Sequence, residues 1–499
     1  MITPFVNFIS LFYGVQQFLP NDNFMIGLPT RMSNQSSAPA PKKLRLFDIV
    51  LFNVCAIVGL DTIGAGAGMG VSGMTWRLLG ILLFFIPYGF VSAELGSTWP
   101  KAGGIYVWTK KAYGDFWGTM VSWLYWINVV YWMPSIYVTF AAVFTSVFFP
   151  GLSTSAQTYL QIIIGMILIW FTVFLGIKNI TMSDFVTNTG AIIKTLLFFS
   201  LGLFGVVYAL KFKMANSFAL PNWKITWDST VALAPVIVYN FMGFELVSSF
   251  SDKLKSPKKD IPRAIMLGGG LISVMYIVAA FGVLAIFRAE DINIVTGISD
   301  SLKILVAKTL GEQFSWLFYL MIICFLLSLF AFMFSWAFGA NCVIGETGLD
   351  KKAKILGHRH RKYDSPDYAF YVMGVVGTLL LIGNYIGMQN VQQIFWTIFA
   401  LSSILFLLPY LFMFPAVLKL RRIEPETERP FKVPSGKLGL WISVILGEFF
   451  LMLAVVFFFV PPENTENVLR YELSLIIGIT VTIAVGLFIH FKSKRKKLE

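Results

Sequence analysis

Three cysteines, three histidines and a charged fraction of only 13% in 499 residues leave little material for redox or metal chemistry. Cys55, Cys324 and Cys342 each lie inside an apolar run, so they cannot frame a disulfide scaffold or a zinc cluster. His358 and His360 share a basic stretch without a neighbouring cysteine or a convincing carboxylate, which reads as a solvated loop rather than a metal site. No metal is expected. The segment "GAGAGMG" at 64–70 has no Walker lysine, no strand before it and not the G-x-G-x-x-G spacing, so no nucleotide or other cofactor is expected either. A nucleophile with its base and orienting group is also missing, which leaves an enzyme reading without support.

Apolar surface is abundant. Hydrophobic residues make up 57% of the chain and mean hydropathy is +0.74, far more than one soluble core could bury. A bilayer core takes about 20 apolar residues per helix, and runs of that length recur from Leu46 almost to His490. The chain therefore reads as an all-α polytopic membrane protein with twelve spans. They fall near 45–71, 76–97, 116–149, 156–177, 188–210 and 230–251, then 264–287, 313–345, 369–388, 391–419, 440–460 and 471–491. The net charge of +13 sits in short clusters between spans, which is an orientation pattern and not a nucleic-acid surface. Of 39 basic residues, 29 face one side and 8 the other, so both termini are expected in the cytoplasm of a multi-pass cytoplasmic-membrane protein. The six basic residues of 351–362 suit contact with anionic lipid. Residues 1–31 lack a basic n-region and a cleavage site, so they do not read as a signal peptide. Met32 opens a polar tail and is the expected native start, with 1–31 either upstream translation or a disordered leader.

Two spans differ from the rest. "AIVGLDTIGAG" in the first and "VIVYNFMGFELVS" in the sixth each place glycine and an acid mid-segment, five spans apart. Broken helices at corresponding positions of two halves mark the binding site of an inverted-repeat transporter. Broken backbone at membrane depth must face protein or a water-filled cavity.

Three further stretches carry a resemblance: "SAELGSTWPKAGGIYVW" after the second span, "GFELVSSFSDKLKSPKKDIPRAI" after the sixth and "LRRIEPETERPFKVPSG" after the tenth. In order and spacing they resemble the amino acid–polyamine–organocation permeases. The resemblance implies a five-plus-five inverted repeat with two added C-terminal helices and secondary transport by alternating access. It divides the chain into a tail at 1–44, a first repeat at 45–210, a second at 230–419, two helices within 440–491 and a basic tail at 492–499. Many members hold a substrate carboxylate on a Gly-Ser-Gly-like triplet in the unwound part of span one. Here the aligned residues are Ile57, Val58, Gly59, Leu60 and Asp61, and the serine is missing.

The candidate substrate residues are Val58, Gly59, Leu60, Asp61, Trp132, Met133, Tyr239, Asn240, Phe241 and Gly243. An ionised Asp at mid-bilayer costs about 2.5–3.5 kcal/mol on insertion scales, so Asp61 needs a use. A substrate amine is one; capping the half-helix that starts near Thr62 is another. Trp132 and Met133, loosened by Pro134, could line a wall or simply pack. The same choice holds for Tyr239 and Phe241 in a chain that is 16% aromatic. By resemblance, Tyr239 matches an aromatic gate and Glu245 an acid associated with coupling. Lys194 is the one basic residue in mid-span and cannot snorkel out. Burial disfavours an ammonium, so Lys194 is a candidate to release and rebind a proton, with a permanent ion pair as the alternative. In proton-coupled relatives the matching lysine fills the place of a sodium ion, which implies proton coupling or sodium-independent exchange. Glu94 reads as a loop anchor, and Glu448 has no assigned role. The expected partner is an amino acid or related amine; a polyamine or decarboxylated amine on the same scaffold is the alternative, and a transporter-like sensor or channel is a distant one, since no selectivity-filter repeat is present.

Overall fold

The computed structural model describes residues 45–495 apart from 102, 179–183, 226–229, 343, 388–389, 463–464 and 466. The leader, the Met32 start and the last four residues of the basic tail lie outside the described residues. Among those described, every regular element is helical and no strand occurs. The principal helices in chain order are α1 (Leu46–Ile57), α2 (Ile63–Gly68), α3 (Ser72–Thr98), α4 (Gly104–Tyr113), α5 (Asp115–Phe148), α6 (Thr154–Ile177), α7 (Asp184–Lys211) and α8 (Pro235–Tyr239). There follow α9 (Pro257–Ile286), α10 (Gly297–Leu310), α11 (Ser315–Cys342), α12 (Asp367–Gly387), α13 (Val391–Leu407), α14 (Tyr410–Ile423), α15 (Gly436–Phe457) and α16 (Val468–Arg495).

Eleven segments among the described residues are long and apolar enough to cross a membrane. The chain is thus a multi-pass membrane protein. The stretch expected as its first span holds two helices instead, α1 of 12 residues and α2 of 6, neither long enough to cross alone. The sixth keeps α8, leaves the helix at 240–243 and resumes as a 3₁₀ segment, Phe244–Lys253. Local chemistry accounts for both interruptions. Val58 turns extended at φ −71°, ψ 105° ahead of Gly59, and Gly243 sits at φ +110°, a conformation with a steric penalty for any other residue.

Burial grades the bundle. The most apolar windows of Val231–Ser248, Asp115–Phe148 and Val391–Ile423 are 89%, 83% and 83% buried, against 22% for Val468–Ser493, so the broken sixth span is central and α16 faces lipid. On one side of the bundle two of the quoted motifs meet. Arg421 of α14 grips Glu94 of α3 with two hydrogen bonds of 2.7 and 2.6 Å, and the Val433 N–H donates to the same carboxylate at 2.7 Å. Lys111 pairs with Glu424, and Lys258 with Glu428 at 2.7 Å. Glu94 is therefore the anchor of a network that fixes the loop after α14 to α3, α4 and α9.

Candidate functional site

The carbonyls that end α1 have no intrahelical donors. Lys194 of α7 supplies them: its Nζ donates to Cys55 O and Val58 O, both at 2.9 Å, and stands 3.4 Å from the centroid of the Phe332 ring. The side chain is 1% exposed. Its direct contacts are thus the end of a half-helix and a π face, with the Asp61 carboxyl near enough to act on it electrostatically. The Gly59 N–H donates to the Tyr276 hydroxyl at 2.9 Å. Thr62 Oγ1 lies 3.0 Å from Gly59 O and 2.8 Å from Asn240 Oδ1, so its one proton serves either the first break or the second. This hydroxyl joins the two interruptions directly.

Asp61 lies between α1 and α2 at 2% exposure, and neither carboxylate oxygen has a hydrogen-bond partner among the described residues. No side-chain cap is made at the start of α2. The indole N–H of Trp132 and the backbone N–H of Asp61 itself face the carboxylate, but neither closes a hydrogen bond of full geometry with it. Around this pair stands a set of rings. Trp132 meets Phe332, Trp336 and Tyr239 edge-on with centroids at 5.1, 5.8 and 6.3 Å, and Tyr239 packs on Phe399 and Phe406 at 4.9 and 5.8 Å. Chemically this is a carboxyl group with weakly engaged donors beside a set of aromatic rings, a setting that suits an organic cation.

The glycines beside Asp61 serve close approach. A Cβ on Gly64 would come within 2.5 Å of Ile294 O, and one on Gly66 within 2.6 Å of Arg77 Nη2. Small residues thus let the α2 backbone touch the loop before α10 and the guanidinium of α3. Arg77 is 4% exposed inside that helix.

The second break is organised by one carboxylate. Glu245, 3% exposed, accepts hydrogen bonds from Tyr410 and Tyr88 at 2.6 Å each and from Tyr125 at 2.9 Å. The Tyr88 hydroxyl in turn accepts the N–H groups of Gly243 and Phe244 at 3.1 Å. Backbone donors freed by the unwinding are satisfied by the residue that also binds the acid. A cavity of about 170 Å³ opens next to this knot, walled by Tyr125, Trp126, Trp336, Gly103 and the start of α4, with Glu245 in its lining.

The other expected site residues fall as follows. Val58 and Leu60 are fully buried backbone contributors at the first break. Phe241 stacks on Phe85 and meets Tyr276, which places it behind the centre. Met133, 100° around α5 from Trp132, packs against Gly377 of α12. His358 bonds Asp367 at 2.7 Å and stacks on Tyr368. Glu448 is half-buried, with Oε1 lacking a hydrogen-bond partner. Sequence reasoning missed Tyr88, Tyr125, Tyr276, Tyr410, Phe332 and Trp336. For the four tyrosines a signal existed: a phenol in mid-span must find a partner for its hydroxyl.

Comparison with known proteins gives the family. Residues 44–485 match the family profile described as "Amino acid permease". The chain is 31% identical over 447 residues to the "Probable agmatine/putrescine antiporter" of Lactococcus lactis subsp. lactis, covering 89% of this chain and 94% of the relative. It is 22% identical over 467 residues to the glutamate/gamma-aminobutyrate antiporter of the same organism, covering 90% of each. It is 22% identical over 432 residues to the serine/threonine exchanger of Bacillus subtilis, covering 85% of this chain and 88% of that one.

Proposed function

We propose a function from one premise: this chain belongs to the amino acid permease family, whose members here are permeases and antiporters, and it is a secondary transporter. We infer that its substrate is an organic amine, taken up in exchange for another amine across the cytoplasmic membrane. The observation that carries this is Asp61, a buried carboxylate with both oxygens unpartnered among the described residues and aromatic rings around it. Lys194 already acts on this carboxyl through space, and a substrate ammonium or guanidinium adds the direct hydrogen-bond donors it lacks. An α-carboxylate is served less well, because the Gly59 N–H already donates to Tyr276. The first relative above bears the names of two such cations, agmatine and putrescine.

On this reading the chain has twelve spans, with α1 and α2 forming the first, and both termini are cytoplasmic. The repeats are 45–210 and 230–419, with 440–491 added outside them. Substrate lies between the breaks, against Asp61, Trp132 and the backbone of Val58, Gly59, Asn240 and Gly243, and Tyr239 closes over it. Lys194 occupies a pair of carbonyls at a half-helix end, the kind of position that coordinates a cation. This supports proton-linked or sodium-independent exchange, with Glu245 biasing the rocking of one repeat against the other.

Proteoliposomes loaded with putrescine test the reading. External labelled agmatine is expected to enter by counterflow without sodium, and leucine or glutamate not to compete. Competition by leucine or glutamate with none by putrescine overturns the amine assignment. Sodium-dependent uptake that persists in Lys194→Ala and ignores a pH gradient overturns the coupling.

A further inference from the structure

A second cavity is lined by none of the residues of the two breaks. It is a groove of about 560 Å³ between α12, α13 and α16, with Tyr131 of α5 at its floor. Its chemistry changes along its length. At one end stand Arg470 and Asn467, at the start of α16, and Asn384, near the end of α12. Deeper in, the walls are Leu380, Ile398, Leu401 and Ile477. Arg470 and Ile477 are about 10 Å apart along the helix axis, since each residue rises about 1.5 Å. The polar end therefore coincides with the helix ends, where a membrane has its headgroups, and the apolar end reaches into its hydrocarbon.

The groove opens to lipid. Leu473 and Ile477 of α16 are 44% and 57% exposed beside it, and α16 carries the least buried of the candidate spans. The space beside Gly383 is open, since a Cβ there would meet nothing within 4 Å. Arg470 is held over the mouth by a 3.4 Å contact from Nη2 to Gly383 O, and its backbone N–H bonds Asn467 Oδ1 at 2.9 Å. A guanidinium with neighbouring amides suits a phosphodiester, and the groove below suits an alkyl chain.

We infer that this groove is a phospholipid site, with the headgroup phosphate at Arg470 and an acyl chain running down to Tyr131. The site is coupled to the transport centre through one helix. Leu401 faces the groove, while Phe399, about 200° around α13 from it, packs on Tyr239. A bound lipid thus supports the helix that backs the substrate site from its membrane side.

Native mass spectrometry of purified full-length protein, delipidated in steps, tests this. One phospholipid adduct is expected to survive delipidation in the wild type, to be lost in Gly383→Phe, which fills the groove, and to wash out earlier in Arg470→Gln. A phosphatidylethanolamine with a diazirine in its acyl chain is expected to label 380–401 and 469–478. Repeating the experiment with phosphatidylglycerol separates recognition of the phosphate alone, which retains both lipids equally, from recognition of net negative charge. Equal retention by wild type and both variants, or labelling confined to other segments, overturns the proposal. So does efficient cross-linking of two copies through Leu473→Cys that lipid does not diminish, since the groove would then be covered by a second chain.

Discussion

Asp61 and Glu245 are both nearly inaccessible carboxylates at helix breaks, yet their surroundings are opposite. Glu245 accepts three tyrosine hydroxyls, from α3, α5 and α14. Asp61 accepts no tyrosine hydroxyl among the described residues, and the N–H groups beside it, its own and that of Trp132, close no hydrogen bond of full geometry. A buried acid with all its donors is cohesive, because charge-assisted hydrogen bonds in a low dielectric hold separate helices together. A buried acid without donors costs stability and persists where something outside the chain completes it. On the function proposed above, the contrast separates the part of the centre that holds the protein together from the part assigned to the substrate.

The largest effect is expected at Asp61→Asn. Amine counterflow should fall about a thousandfold, or about 4 kcal/mol of lost recognition, while the thermal unfolding midpoint in detergent stays level or rises. An unpartnered amide is cheaper to bury than an unpartnered carboxylate. A variant that transports normally, or that unfolds earlier, would remove the distinction between the two acids. Glu245→Gln should do the reverse to stability. It turns three charge-assisted bonds into neutral ones and forces one tyrosine to face an NH₂ group, for a loss of about 3 kcal/mol in denaturant titration. Tyr88→Phe is expected to cost about 2 kcal/mol, since it removes a donor to Glu245 and orphans the Gly243 and Phe244 N–H groups together. The double variant with Glu245→Gln should lose less than the sum of the two, which a double-mutant cycle reads directly.

Much of the architecture was legible because hydropathy and glycine placement act locally. The long apolar runs gave helices at 115–148, 154–177 and 436–457 close to where they were expected, and both interruptions fall on the expected segments. The acids were legible too, since a charge in mid-span stands out. Their partners were not, because the hydroxyls on Glu245 come from positions 88, 125 and 410, and nothing local to any of these specifies which carboxylate it will meet. The same holds for Lys194. Its isolation in an apolar run was visible, but that it would find two carbonyls of α1 depends on how α7 packs. Trp132 and Met133 show the limit within one helix. They are adjacent in sequence, and only the rotation of α5 sends one toward Asp61 and the other to Gly377.

The weakest prediction sharpens the comparison by adding a third acid, outside the spans. Glu424 follows α14 and pairs with Lys111, whose hydrogen bond holds the carboxyl below its ordinary range. A lowered folded value means the ionised form is the one stabilised, so the contribution is present above the unfolded pKa of about 4.3 and fades as pH falls through the lower folded value. Solvent screens this pair, so the contribution should be no more than about 1 kcal/mol. Glu424→Gln is therefore expected to lower the unfolding midpoint slightly at neutral pH, with the gap to wild type closing once the pH falls below about 4 and shrinking in high salt at any pH. The Glu245→Gln deficit should not shrink with salt, because buried charges are screened far less. A gap at Glu245 that closed with salt as readily as the one at Glu424 would mean that water reaches the tyrosine knot, and that Asp61 and Glu245 differ in partners but not in environment.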